Sequence, residues 1–111
     1  MNSRTEVDLQ IDPTGALLVK WTGSANDRRP AAILNPVFEE LLGSGRYLRF
    51  DFSELEHISS STMVLVLRFF KQLKALGVGF ELRYDESAAW QRMTFAPATA
   101  LAAAPQVSLA A

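Results

Sequence analysis

Apolar and polar residues alternate at the two-residue period of a strand from Glu6 to Ile11, with Val7, Leu9 and Ile11 on one side. Asp12-Pro13-Thr14-Gly15 supplies turn chemistry, and an apolar run resumes from Ala16 to Trp21, which predicts a hairpin. Thr22-Gly23-Ser24 is expected to end the second strand. A polar loop through Asn26, Asp27 and Arg28-Arg29 then reaches Pro30, a good first-turn residue for a helix. Ile33, Leu34, Val37, Phe38, Leu41 and Leu42 recur at helical spacing up to Gly43-Ser44-Gly45. Pro36 falls inside that pattern, which predicts a kink or a start nearer Asn35, itself a capping residue.

The stretch from Leu48 to Gly77 dominates the chain. Leu48, Phe50 and Phe52 alternate with Arg49, Asp51 and Ser53 as a strand, and a serine-rich turn opens an apolar helix that ends at Gly77. Gly79 to Tyr84 is expected to be another strand. Asp85, Glu86 and Ser87 then offer a start for a third helix from about Glu86 to Phe95, before Pro97. The order of elements predicts an α/β fold, a single small domain with a mixed β-sheet of about four or five strands. Charge at Arg49 and Asp51 places helices mainly on one face, because a sheet covered on both sides reads as continuous apolar runs. The domain is expected over residues 5–100, followed by an alanine-rich C-terminal tail at 101–111.

Composition narrows the function classes. In 111 residues the 11 basic and 12 acidic side chains are interspersed and leave a formal charge of −1, so no basic surface for nucleic acid is expected. There is no cysteine, hence no disulfide, thiolate nucleophile or sulfur ligand set. The N-terminus lacks a secretory pattern, and the longest apolar run, Met63 to Leu67, is far below the ~18 residues of a membrane span. A soluble, cytoplasmic protein without direct membrane insertion is expected.

The hydroxyl cluster Ser59, Ser60, Ser61 and Thr62 sits at the strand-to-helix junction, where free N–H groups and the helix dipole favour an anion. On a helical projection Thr62, Met63, Leu65, Val66, Leu67, Phe69, Phe70, Leu73 and Leu76 form one broad arc. Ser60, Ser61, Val64, Arg68, Lys71, Gln72 and Ala75 lie opposite. Capping needs only one hydroxyl, with Ser59 in that role. A phosphate at Ser60 would meet a favourable dipole and change the surface charge by nearly two units.

At these residues the chain resembles the STAS domain, the family of sulfate transporters and anti-sigma factor antagonists. The resemblance rests on the run Leu48 to Leu55, on Ile58-Ser59-Ser60-Ser61-Thr62, and on the apolar helix ending Ala75-Leu76-Gly77, and it extends over nearly the whole chain. In that family the turn usually reads Asp-Ser-x-Gly, and the serine is phosphorylated by an anti-sigma factor that is also a kinase, which releases the antagonist. Asp51 and Ser60 match by position. Ser59 stands where the aspartate is expected and Thr62 where the glycine is expected.

The resemblance implies a non-enzymatic partner-switching module that binds a kinase-type anti-sigma factor and is served by a serine phosphatase. Ser60 is the implied phosphorylation site, with Ser59, Ser61 and Thr62 as alternatives. Asp51, His57, Ser59, Ser60, Ser61, Thr62, Val64 and Arg68 are the expected partner-binding residues. The departures at Ser59 and Thr62 favour another reading, a STAS-like accessory subunit without a switch, for instance in an ABC-type lipid transport complex or a larger signalling assembly.

Enzymatic readings fare worse. Asp51, His57 and Ser60 have the types of a catalytic triad, but all lie within ten residues around one turn rather than converging from separate segments. A single histidine with scattered carboxylates makes no metal-ligand spacing, and no phosphate-binding glycine loop is present, so no cofactor or metal is expected. Glu39-Glu40 and Asp85-Glu86 read as a solvated helix face and a helix start. Trp21 and Trp90 are expected in the core, with a partner contact at Trp90 as the alternative.

Overall fold

A computed structural model of the chain describes residues 5–25 and 28–109, with side chains through residue 102. The expected loop residues Asn26 and Asp27 and the end of the alanine-rich tail lie outside the described residues. Two antiparallel strands, β1 (Glu6–Ile11) and β2 (Leu17–Ala25), form the predicted hairpin. Its turn is built on the Asp12 carboxylate, which accepts from the backbone N–H of Thr14 (2.8 Å) and of Ala16 (3.2 Å) and from the Thr14 hydroxyl. The Thr14 hydroxyl, foremost, holds the Asp12 carboxyl below its usual pKa. The folded state therefore gains from Asp12 above the unfolded carboxylate pKa and loses that gain as pH falls through the depressed value.

The second strand does not end at Thr22-Gly23-Ser24 as expected. Gly23 takes φ 80°, the pairing register shifts between Gly23 and Ser24, and β2 continues to Ala25. A glycine bulge re-aims a strand without ending it, and composition alone does not distinguish the two outcomes.

Helix α1 (Pro30–Gly43) starts at Pro30, not near Asn35, and carries Pro36 in its interior. Both Pro36 and Ala32, whose carbonyl loses the proline N–H, are exposed, so water can satisfy the freed oxygen. The same reason lets helix α3 (Ala89–Leu109) run through Pro97, where the helix predicted to stop at Phe95 continues: Pro97 and Met93 both face solvent. α3 crosses residue 100 without a break, and Leu101 and Ala102 pack half-buried against the core.

Between these helices lie β3 (Leu48–Asp51), β4 (Leu55–Ile58), α2 (Ser60–Leu76) and β5 (Phe80–Arg83). The sheet order is β1-β2-β3-β5, with β4 pairing the far end of β2; every pairing except β1–β2 is parallel. β4 has no counterpart among the predicted strands. Its two middle residues are exposed and its two ends buried, so it shows no alternation to detect.

The fold is thus a single small α/β domain, with a mixed five-stranded sheet and three helices on one face. Val19, Trp21 and Phe50 of the sheet and Phe52 just after β3 meet Leu34 and Phe38 of α1, Val66 and Phe70 of α2, and Phe95 of α3 in one core. Phe50 is its centre: its ring packs edge-on to Phe69, Phe70 and Phe80, and lies stacked beside Phe52. The opposite face is charged, as Arg49 and Asp51 predict, and carries the Lys20–Glu54 ion pair at 2.7 Å. Such an exposed pair is screened by solvent, so packing rather than charge holds the sheet. Among the described residues no helix is long and apolar enough to cross a membrane.

Truncating Phe50 empties the middle of the aromatic cluster. Phe50→Ala is expected to lower unfolding free energy by about 3–5 kcal/mol in a urea titration, whereas Lys20→Gln should leave the titration midpoint nearly unchanged.

Candidate functional site

Between β3 and β4 the chain steps sideways along β2. β3 pairs with Leu17–Lys20, and β4 pairs with Gly23–Ala25 beyond the bulge. Asp51 forms the step: its carboxylate accepts from the backbone N–H (2.9 Å) and hydroxyl (2.7 Å) of Ser53, and the Leu55 N–H then closes on the Phe52 carbonyl at 3.0 Å. The inner side of the step would strand backbone carbonyls away from water. Gln91 of α3, only 2 % exposed, donates to the carbonyls of Leu55 (3.0 Å) and Ser53 (3.3 Å). Its side-chain oxygen accepts from the Asp85 N–H at 2.8 Å, just after β5. One amide thereby ties the step, the exit of β5 and α3 together. Sequence reasoning missed Gln91, since a glutamine on an amphipathic helix reads as a surface residue.

The hydroxyl turn follows at the end of β4. The Ser59 N–H donates to the Ala25 carbonyl (2.8 Å), anchoring the turn to the end of β2. Ser59 is the N-cap: its Oγ accepts from the Thr62 N–H at 3.2 Å and hydrogen-bonds the Thr62 Oγ1 at 2.9 Å. Thr62 is 2 % exposed, so its hydroxyl is structural and unavailable to a partner without opening the turn. More than one hydroxyl therefore has a structural task. Ser60 and Ser61 are exposed on the first turn of α2, which holds no acidic residue.

Every residue projected onto the outer arc of α2 is exposed: Ser60, Ser61, Val64, Arg68, Lys71, Gln72 and Ala75. Of the inner arc, Phe69 stacks on Phe38 of α1 with ring centroids 4.1 Å apart, while Leu76 remains exposed at the helix end. Val64, 46 % exposed, forms an apolar crest between two shallow grooves. The groove toward α1, about 630 Å³, includes Ser61, Leu65, Arg29 and Arg68. The one toward α3, about 400 Å³, includes Ser60, Met63, Leu67 and Thr94. The two exposed serines thus face different grooves. In the connection from β5 to α3, the Ser87 hydroxyl and N–H hold the Asp85 carboxyl below its usual pKa.

Ser59, Ser60, Ser61, Thr62, Val64 and Arg68 therefore lie on one continuous segment, with Thr62 on its buried side. His57 is exposed on β4 opposite Ser24 of β2, and Asp51 is engaged by Ser53 on the charged side of the sheet. Among the described residues no hydrogen bond joins Asp51, His57 and Ser60, and no cluster of acidic residues and histidine could hold a metal. Trp21 is fully buried against Phe52, as expected of a core residue. Trp90 is partly buried beside Phe95.

One solved structure similar to this chain is an uncharacterized protein from the DUF3478 family with a SpoIIAA-like fold, from Shewanella loihica PV-4. The two share 14% identity over 78% of this chain and 88% of that one, with a TM-score of 0.49. No family model and no curated protein matches the chain.

Two stability measurements separate structural from exposed groups. Ser59→Ala is expected to cost about 0.5–2 kcal/mol by loss of the cap, while Ser60→Ala should stay within about 0.5 kcal/mol of the parent in the same urea titration. Gln91→Leu conserves apolar bulk but leaves buried backbone groups unpaired. It should cost at least about 1–3 kcal/mol and speed hydrogen exchange at the Asp85 amide.

Proposed function

We propose that the chain is a protein-interaction module of a partner-switching pair, resembling an anti-sigma factor antagonist. It presents the first turns of α2 to a kinase-type anti-sigma factor and is switched by phosphorylation of Ser60. The observation that carries the reading is the division of labour in the turn: Ser59 and Thr62 hold each other, while Ser60 stands exposed at the first residue of α2. In the switching step the Ser60 Oγ attacks the γ-phosphorus of ATP, the bond to the bridging oxygen breaks, ADP leaves, and the hydroxyl proton is lost to solvent or a base of the kinase. The product gains a charge of about −1.5 to −2 at a helix N-terminus, which favours the modified fold while altering the surface beside Val64. A serine phosphatase would reverse it.

A second reading has its own support. Thr62, where the family pattern has glycine, places a locked side chain under the turn, which suits a permanent contact better than one remodelled at each cycle. In that case the module is an accessory subunit, as in an ABC-type lipid transport complex, and binds its partner regardless of Ser60.

The test incubates the full chain with a kinase-type anti-sigma factor from the same cells and ATP. One phosphate is expected on the peptide holding Ser60, none on Ser60→Ala, and Ser60→Glu should weaken the complex roughly tenfold or more, equivalent to about 1.4 kcal/mol. Neither complex nor phosphate sinks the switching reading. A copurifying transporter ATPase bound equally by parent and Ser60→Glu establishes the second.

A further inference from the structure

The groove between α1 and α2 differs from the one toward α3 in charge. Its apolar floor is Pro30, Ala31 and Ala32 from α1 with Leu65 from α2, and the Val64 crest bounds it on the other side. Arg29 and Arg68 stand at its rim, both exposed, and among the described residues no acidic side chain lines it. The groove toward α3 has no charged lining residue at all.

Topology adds to the charge. α1 follows β2 and α2 follows β4, two parallel strands, so both helices begin at the same edge of the sheet. Neither has an acidic residue in its first turn, so no carboxylate within the helices themselves offsets either N-terminal partial charge. The Asp85 and Glu86 carboxylates belong to the α3 side instead. In a chain with a formal charge of −1, this end of the α1–α2 groove is a local positive region over an apolar floor.

We propose that this groove binds an acidic amphipathic helix of a partner protein. Apolar side chains at i, i+3/i+4 and i+7 of that helix rest on the floor, and carboxylates on its flanks meet Arg29 and Arg68. The small residues at Pro30 to Ala32 let a helix approach closely, and guanidinium forks take carboxylates bidentately. The apolar floor alone would accept either sign of amphipathic helix; the two arginines select the acidic one. The assignment deepens the docking reading of this face, and it is independent of whether Ser60 is modified.

Two fluorescein-labelled synthetic 15-residue helices test it, sharing the same leucine positions but flanked by glutamate in one and lysine in the other. By fluorescence anisotropy with the full chain at low salt, the acidic helix should bind roughly tenfold tighter or more, and the preference should shrink as salt rises. The double variant Arg29→Glu/Arg68→Glu, with unchanged circular dichroism, should reverse the preference. Amide shifts on titration should fall on residues 30–32 and 61–68. Equal binding of both helices, no binding of the acidic one, a preference that survives the double variant, or shifts confined to the α3 side would each overturn the proposal. Phosphorylation of Ser60 without an acidic preference refutes this inference and leaves the switching reading standing; an acidic preference without any kinase reaction does the reverse.

Discussion

The sidestep between β3 and β4 is the constraint on which the serine-turn end of this molecule depends. β2 is long enough to be shared by two short parallel strands in succession, and the chain must shift along it to pair first with one half and then with the other. A shift inside a covered sheet exposes backbone polar groups to an apolar interior, which costs free energy unless they are paired. Asp51 satisfies the outer side of the step through Ser53, and Gln91 satisfies the inner side through the carbonyls of Ser53 and Leu55. Because Gln91 also takes the Asp85 N–H, the start of α3 and the exit of β5 are set by the same amide. The serine turn begins four residues after Leu55, so its placement follows from that pairing.

From this anchor the turn divides its hydroxyls by burial. Ser59 and Thr62 are turned toward the protein and satisfy one another and the first amides of α2. Ser60 and Ser61 are turned toward solvent on either side of the Val64 crest. A charge added at one of them changes mainly the groove beside it, so adjacent serines on one helix turn can address different surfaces. The α1 side carries Arg29 and Arg68 beside two helices without a first-turn acidic residue, while the described lining of the α3 side is uncharged. The arginine rim and the exposed Ser60 are thereby set next to each other without sharing a residue.

The aromatic core explains why this end tolerates such exposure. Phe50, Phe52, Phe69, Phe70, Phe80 and Phe95 form connected rings under the sheet's covered face. Aromatic pairs add about 0.5–1.5 kcal/mol each beyond their burial, so stability is concentrated in the middle of the domain. The outer arc of α2 contributes little to that core and is free to vary in its chemistry.

Local pattern alone determined a good deal. The two-residue period of Glu6–Ile11 and Leu48–Phe52 and the helical spacing of α1 and α2 announce their elements, and the projection of α2 separates its buried from its exposed residues, because those periods are properties of the backbone itself. The cap at Ser59 and the end at Gly77 were equally legible, since each satisfies orphan groups of a single helix. Only the tertiary structure decided the rest. Gly23 bulges rather than terminates because β4 waits to pair beyond it, and Pro36 and Pro97 stay within helices because each falls on a solvent face. Gln91 becomes a buried clamp, Thr62 a locked neighbour of Ser59, and Arg29 and Arg68 the rim of one groove because residues far apart in the chain are brought together by packing. Such partnerships leave no period in the sequence, and they govern which groups the turn at Ser59 to Thr62 exposes to solvent.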